Sequence, residues 1–125
     1  MKITEFKEGD LIVRVKESKT YTSEPKYSGD PFIFCEIRFG KIYMMHLNRF
    51  HNYHPELFEE DFDKRGRDKW EFYDAPKILQ SELMALLYKL YEKETGSGDL
   101  YKGFLYRNAL RQLDKTVMHK QPNNQ

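Results

Sequence analysis

Period-2 alternation opens the chain. In LIVRVK, Leu11, Val13 and Val15 alternate with Ile12, Arg14 and Lys16, and Gly9-Asp10 supplies a turn just before it. This predicts a strand half-buried on one face. Residues 17–30 are polar, contain Pro25 and Gly29, and predict a loop. PFIFCEIRFGKIYMMHL then places two apolar runs around Gly40-Lys41. Glycine takes a positive φ without strain, so a two-residue hairpin turn of type II′ is expected there. That turn would set Phe39 opposite Ile42, Ile37 opposite Met44 and Cys35 opposite His46, with this face toward the core. Residues 48–69 turn polar and acidic and predict a connection. KWEFYD, with Trp70 and Phe72 on one side, predicts a short closing strand.

After Ala75-Pro76 the period becomes helical. Leu79, Leu83, Leu86, Leu87 and Leu90 form one stripe. Gly96-Ser97-Gly98-Asp99 interrupts it, with Gly96 as the expected C-terminal cap and Ser97 or Asp99 as the next N-cap. Tyr106, Leu110, Leu113 and Val117 form the second stripe, widened by Tyr101, Leu105 and Ala109. Two such helices with a short connection predict an antiparallel hairpin. The expected fold is therefore α+β and a single domain, 1–125. A small antiparallel sheet or SH3-like barrel occupies 1–75, a helical hairpin 76–120 and a frayed tail 121–125.

Composition narrows the function classes. A third of the residues are charged, the net charge is only +1, and no apolar run approaches the ~18 residues of a membrane span. The N-terminal MKITEFKEGD lacks an apolar signal core, and Cys35 is the lone cysteine. Both point to a cytoplasmic protein. The charge is uneven: residues 1–75 carry 13 Lys/Arg against 15 Asp/Glu, and residues 76–125 carry 8 against 5.

Four groups of residues invite a chemical reading. His46, His51 and His54 are spaced by five and three, which fits neither a helical zinc pair nor a thiol knuckle, so no metal or cofactor is expected. Cys35 opposite His46 would put a base beside a thiol, but on a face read as core, where cysteine is ordinarily a small apolar filler. Glu59, Glu60, Asp61 and Asp63, followed by Arg65 and Arg67, form a charge run that reads as a solvated patch or as a surface offered to a basic groove. Arg107, Arg111 and Lys115 step by four along the second helix, away from its apolar stripe. They can grip phosphates or acidic side chains, with Tyr101 and Phe104 as neighbouring stacking surface. No phosphate loop, dinucleotide fingerprint, nucleophile elbow or HExxH motif is present.

EFKEGDLIVRV, GDPFIF, FGKIYM and KWEFY together resemble small uncharacterised proteins of bacteriophages and mobile elements. The resemblance covers about residues 5–75 and implies an SH3-like barrel; no functional residue transfers with it. It also implies a function by binding. The expectation is a non-catalytic protein-binding module, an accessory protein that inhibits a host nucleic-acid-processing or defence complex such as a CRISPR effector. Its expected partner is thus a host or defence protein. The alternative is a nucleic-acid-binding accessory protein using the basic ridge, with weak affinity. The third reading is a small enzyme or metal protein using His46, His51 and His54. No membrane partner is expected, and a homodimer through the helical hairpin is compatible with the wide stripes.

Overall fold

The computed structural model describes residues 3–16, 29–61 and 68–120. The chain falls into two compact units, Met1–Tyr73 and Asp74–Gln125. The first holds a five-stranded antiparallel sheet and the second two packed helices, the α+β arrangement that the periodicities predict.

The strands are β1 (Leu11–Lys16), β2 (Pro31–Arg38), β3 (Lys41–Asn48), β4 (His54–Asp61) and β5 (Asp68–Phe72), in the spatial order β4-β3-β2-β1-β5. The sheet is open, with β4 and β5 at its edges, and it is strongly bent. In a flat sheet β1 and β4 would stand three strand spacings apart, about 14 Å. Yet the Arg14 guanidinium of β1 pairs with Glu60 of β4 and lies 5.5 Å from the Phe58 ring. Phe32 of β2 meets Phe58 of β4 and Trp70 of β5 edge-on, each with ring centroids 5.2 Å apart. The concave face so formed buries Phe6, Ile12, Phe32, Phe34, Ile42, Met44 and Trp70.

The hairpin register differs from the expected one in two ways. The turn residues are Phe39 and Gly40, with φ of 53° and 72°, and Arg38 pairs with Lys41. Two consecutive positive φ values make a primed turn of the other type, shifted by one residue. A bulge at Cys35, between Phe34 and Glu36, shifts the pairing again. The two changes move His46 from opposite Cys35 to opposite Phe32. They also explain the core face. Phe32 and Phe34 point into it, the bulge absorbs Cys35, and Ile37 returns to it beyond. Ile37, Ile42 and Met44 therefore stand as expected, whereas Phe39 is almost fully exposed at the turn.

Two further expectations give way. Residues 54–61 are a strand, not part of a polar connection. Arg49–His51 form a single 3₁₀ turn, capped by the Asn48 side chain accepting from the Phe50 N–H at 3.0 Å, and Asn52 and Tyr53 reverse the chain at positive φ. β1 is buried on both faces near its start, because Ile12 and Arg14 point into the concave core while Leu11 is buried on the other side. The predicted loop over residues 17–28 lies outside the described residues.

The second unit contains α1 (Lys77–Ser97) and α2 (Leu100–Lys120). Leu83 and Leu87 are buried from the first stripe and Leu105, Tyr106, Ala109 and Leu113 from the second. Tyr101 departs from its predicted place in the stripe and is exposed. Gly98, not Gly96, ends α1. Its φ is 92°, its N–H donates to Thr95 O, and the Asp99 N–H donates to Glu94 O at 2.9 Å. This paired closure needs a left-handed residue at the position Gly98 occupies. Asp99 then caps α2, accepting from the Lys102 N–H at 3.1 Å. The connection is thus two residues rather than four. No helix of the described residues is long and apolar enough to cross a membrane.

Candidate functional site

The predicted acidic patch is built on β4. Alternation turns Glu56, Phe58 and Glu60 one way and Leu57 and Glu59 the other, so charged side chains occupy the half-buried positions and a leucine the exposed one. Leu57 is 86% exposed. Each described carboxylate of this strand has a partner within the sheet unit. Glu60 meets Arg14, which is only 4% exposed and lies under the Trp70 ring at 4.8 Å. Glu59 lies 3.4 Å from Lys41 Nζ across the β3–β4 ladder. Glu56 accepts from Asn48 Nδ2 at 3.0 Å and lies 3.6 Å from His51 Nδ1. The Asn48 bond, reinforced by His51, His46 and His54, holds the Glu56 carboxyl below its ordinary value. Asp61 is on the same strand. Asp63, Arg65 and Arg67 lie outside the described residues.

The three histidines separate into different environments. His46 is buried on β3, with Nε2 2.8 Å from Asp30 Oδ2 and its ring stacked on Phe32 at 4.6 Å. Asp30 is buried as well, and Arg49 Nε lies 3.1 Å from its other oxygen. The remaining ring nitrogen of His46 is 3.9 Å from Glu56 Oε1. This network ties the start of β2 to the end of β3 and to the 3₁₀ turn. Nearby, burial first and then Tyr53 and Asp30 push the Tyr73 phenol up to about 12. His51 and His54 are exposed. Among the described residues no group of three or more His, Cys, Asp or Glu side chains is arranged to hold a metal ion.

Cys35 is not beside His46. Its Sγ lies 3.8 Å from the Ile33 carbonyl, and burial, followed by Glu36 and Glu8, pushes the thiol up to about 12. A thiol so placed stays protonated at neutral pH and is a poor nucleophile. Asp30 and His46 form the closest acid–imidazole pair among the described residues, and both side chains are buried, at 1% and 3% exposure.

The basic ridge lies on α2. At 100° per residue, Leu100, Phe104, Arg107 and Arg111 fall within one narrow arc opposite the buried stripe. All four are exposed, Leu100 at 73%. Lys115 continues the helix; of its position only the backbone is described. Neither Arg107 nor Arg111 has an ion-pair partner among the described residues. Asp114, three residues beyond Arg111, makes no ion pair with it. Tyr101 is partly exposed at the edge of this arc.

Sequence reasoning missed three participants. Arg14 is written as the polar member of an alternating strand, and only the bend of the sheet turns it inward. Asp30 sits in a Gly-Asp-Pro turn that looks like ordinary punctuation. Leu100 belongs to neither the predicted apolar stripe nor the predicted ridge, yet it is 73% exposed at the start of α2. The acidic run and the basic ridge were both visible as charge patterns, but the pairing of the acidic residues was not. No family model, curated protein or solved structure matches this chain.

Proposed function

We propose that the protein is a non-catalytic binding module that docks a partner protein through the outward face of α2. The observation that carries this reading is one helix face where Arg107 and Arg111, without an ion-pair partner among the described residues, stand beside the exposed side chains of Leu100 and Phe104. Arginine and aromatic side chains recur at the energetic centres of protein interfaces. The likeness of residues 5–75 to phage and mobile-element proteins frames the partner as a host or defence protein, held in a complex that acts on nucleic acid, which this module inhibits.

The test is site-specific photocrosslinking. A photoreactive phenylalanine analogue at position 104 is introduced into the protein in its native cells, and the lysate is treated with nuclease. A discrete protein adduct that survives nuclease and disappears with Arg107→Glu/Arg111→Glu is the expected result. An adduct removed by nuclease, or none at all, defeats the reading.

A further inference from the structure

The α2 face is polar in its order as well as in its chemistry. Leu100 and Phe104 occupy its first two turns, and Arg107 and Arg111 the next two. From Leu100 to Arg111 the face runs about 16 Å at 1.5 Å per residue. A partner must therefore offer apolar surface at one end of that length and negative charge at the other. Neither arginine has an ion-pair partner among the described residues, and the arc carries two cations against the single carboxylate of Asp114 at its margin, so charge complementarity favours an acidic partner.

We infer that this face receives an acidic amphipathic helix lying antiparallel to α2, with carboxylates in its N-terminal half and apolar residues in its C-terminal half. The inference rests on the protein-binding reading and deepens it. The direction follows from electrostatics. Carboxylates in a helix's first turns are stabilised by its own macrodipole, and in its last turns they are destabilised. In an antiparallel pair the partner's N-terminal half faces Arg107 and Arg111, so the acids sit where both the arginines and their own helix favour them. A parallel helix would need its acids at its C-terminal end to reach the same arginines. Antiparallel alignment also opposes the two macrodipoles. The apolar end excludes a second copy of α2 as occupant, because antiparallel self-pairing would set Arg107 and Arg111 against Leu100 and Phe104. Phosphate is the other anion that arginines grip. A nucleic acid, however, would use two cations for about two phosphates and gain nothing from an exposed leucine at the head of the ridge.

The experiment titrates the full chain with two stapled helical peptides of identical composition and about twelve residues, the length that spans Leu100 to Arg111. One carries glutamates first and leucines last; the other reverses that order. Duplex and single-stranded DNA are titrated in parallel. The variants are Arg107→Glu/Arg111→Glu and Leu100→Ser/Phe104→Ser, both at exposed positions, with retained folding checked by thermal melting. The expected result is that the acid-first peptide binds roughly tenfold more tightly than its reverse and that each double variant abolishes the preference. Equal binding of the two peptides, binding that survives Arg107→Glu/Arg111→Glu, or no binding of either peptide overturns the inference. Tighter binding of DNA than of either peptide, lost in the arginine variant, overturns it in favour of phosphate. Failure of the peptides while the position-104 crosslink persists removes only the acidic helix. Loss of the crosslink removes the protein-binding reading itself.

Discussion

β4 and α2 carry the two charge patterns that the sequence displays, and they use charge in opposite ways. On β4, Glu56, Glu59 and Glu60 each meet a donor or cation in the same unit, and Glu60 does so against a guanidinium held under Trp70. On α2, Arg107 and Arg111 face outward without an ion-pair partner among the described residues. A run of like charges in a sequence is thus two different objects once folded. Where alternation turns charges toward a bent sheet, they become part of the architecture. Where a helix turns them away from its buried stripe, they remain available to another molecule. The acidic run packs four carboxylates into five residues and the basic ridge spreads three cations over nine, yet it is the sparser ridge that we propose as the binding surface.

The largest effect should come from breaking the strand's pairing. Glu60→Leu leaves Arg14 charged, buried and without its carboxylate. Removing one member of a buried pair costs about 3–5 kcal/mol, whereas replacing both by apolar residues is often neutral. Chemical denaturation should therefore show a severe loss for Glu60→Leu and recovery of most of it in Arg14→Met/Glu60→Leu. A Glu60→Leu protein as stable as the parent would place Glu60 with the free charges and erase the contrast with α2.

The helix pair beneath the basic face gives the next effect. A Cβ at Gly103 would lie 2.7 Å from Thr95 Cγ2. Thr95 cannot swing away freely, since its Oγ1 donates to Tyr91 O at 2.8 Å. Gly103→Ala gains about 1 kcal/mol of helix propensity and loses about 1–3 kcal/mol to overpacking. It should lower the melting temperature by a few degrees. Thr95→Ser/Gly103→Ala removes the offending methyl, keeps the hydroxyl, and should melt above the parent. If Gly103→Ala alone stabilises the protein, the close approach that sets α2's rotation, and so which residues face outward, is misplaced.

How much of this was legible follows from the same contrast. Helical period and local capping chemistry act over a few residues, so α1, α2 and the outward arc of Arg107 and Arg111 could be read directly. The exception is the terminator. Gly96 and Gly98 are equivalent by composition, and only the paired bonds from Gly98 and Asp99 choose between them. The strands depend on partners far away in sequence. Strict alternation assigns the core face only if no residue is extra, and the bulge at Cys35 is invisible in PFIFCEIR. β4 escaped because its inward positions hold Glu56 and Glu60. Those glutamates tolerate partial burial through Asn48 and Arg14, and nothing in the local pattern shows either contact. For the same reason strict alternation places His46 on the core face but opposite the wrong residue, Cys35, and its partners Asp30 and Phe32 are not foreseen.

A smaller effect on stability separates the ridge from the strand. Arg107→Glu/Arg111→Glu changes two exposed side chains that make no ion pair among the described residues, so stability should move by no more than about 0.5 kcal/mol. The same variant should abolish partner capture. Labelled DNA and RNA titrated at physiological salt should bind the parent weakly, with a salt slope of magnitude near 2 at most from two described arginines. Submicromolar binding removed by the variant would make the ridge a nucleic-acid surface and leave β4 as the sole protein-facing candidate.

The finest distinction is pH-dependent and concerns Glu56, the β4 carboxylate held by Asn48 and flanked by histidines. Its folded-state pKa lies below the ordinary 4.5, chiefly because it accepts from Asn48 and secondarily because of His51, His46 and His54. A group whose pKa is lowered on folding contributes stability above its unfolded value, and that contribution is lost as pH falls through the folded value. Replacing it with glutamine keeps an acceptor for Asn48 and removes the charge. The stability difference between the parent and Glu56→Gln should therefore be small near neutrality, and vanish as pH drops below the usual carboxylate range. High salt should weaken the part contributed by exposed His51 while leaving the Asn48 bond. If the difference instead grows on acidification, Glu56 is destabilising as a charge, and the claim that β4 neutralises its own carboxylates fails at this position.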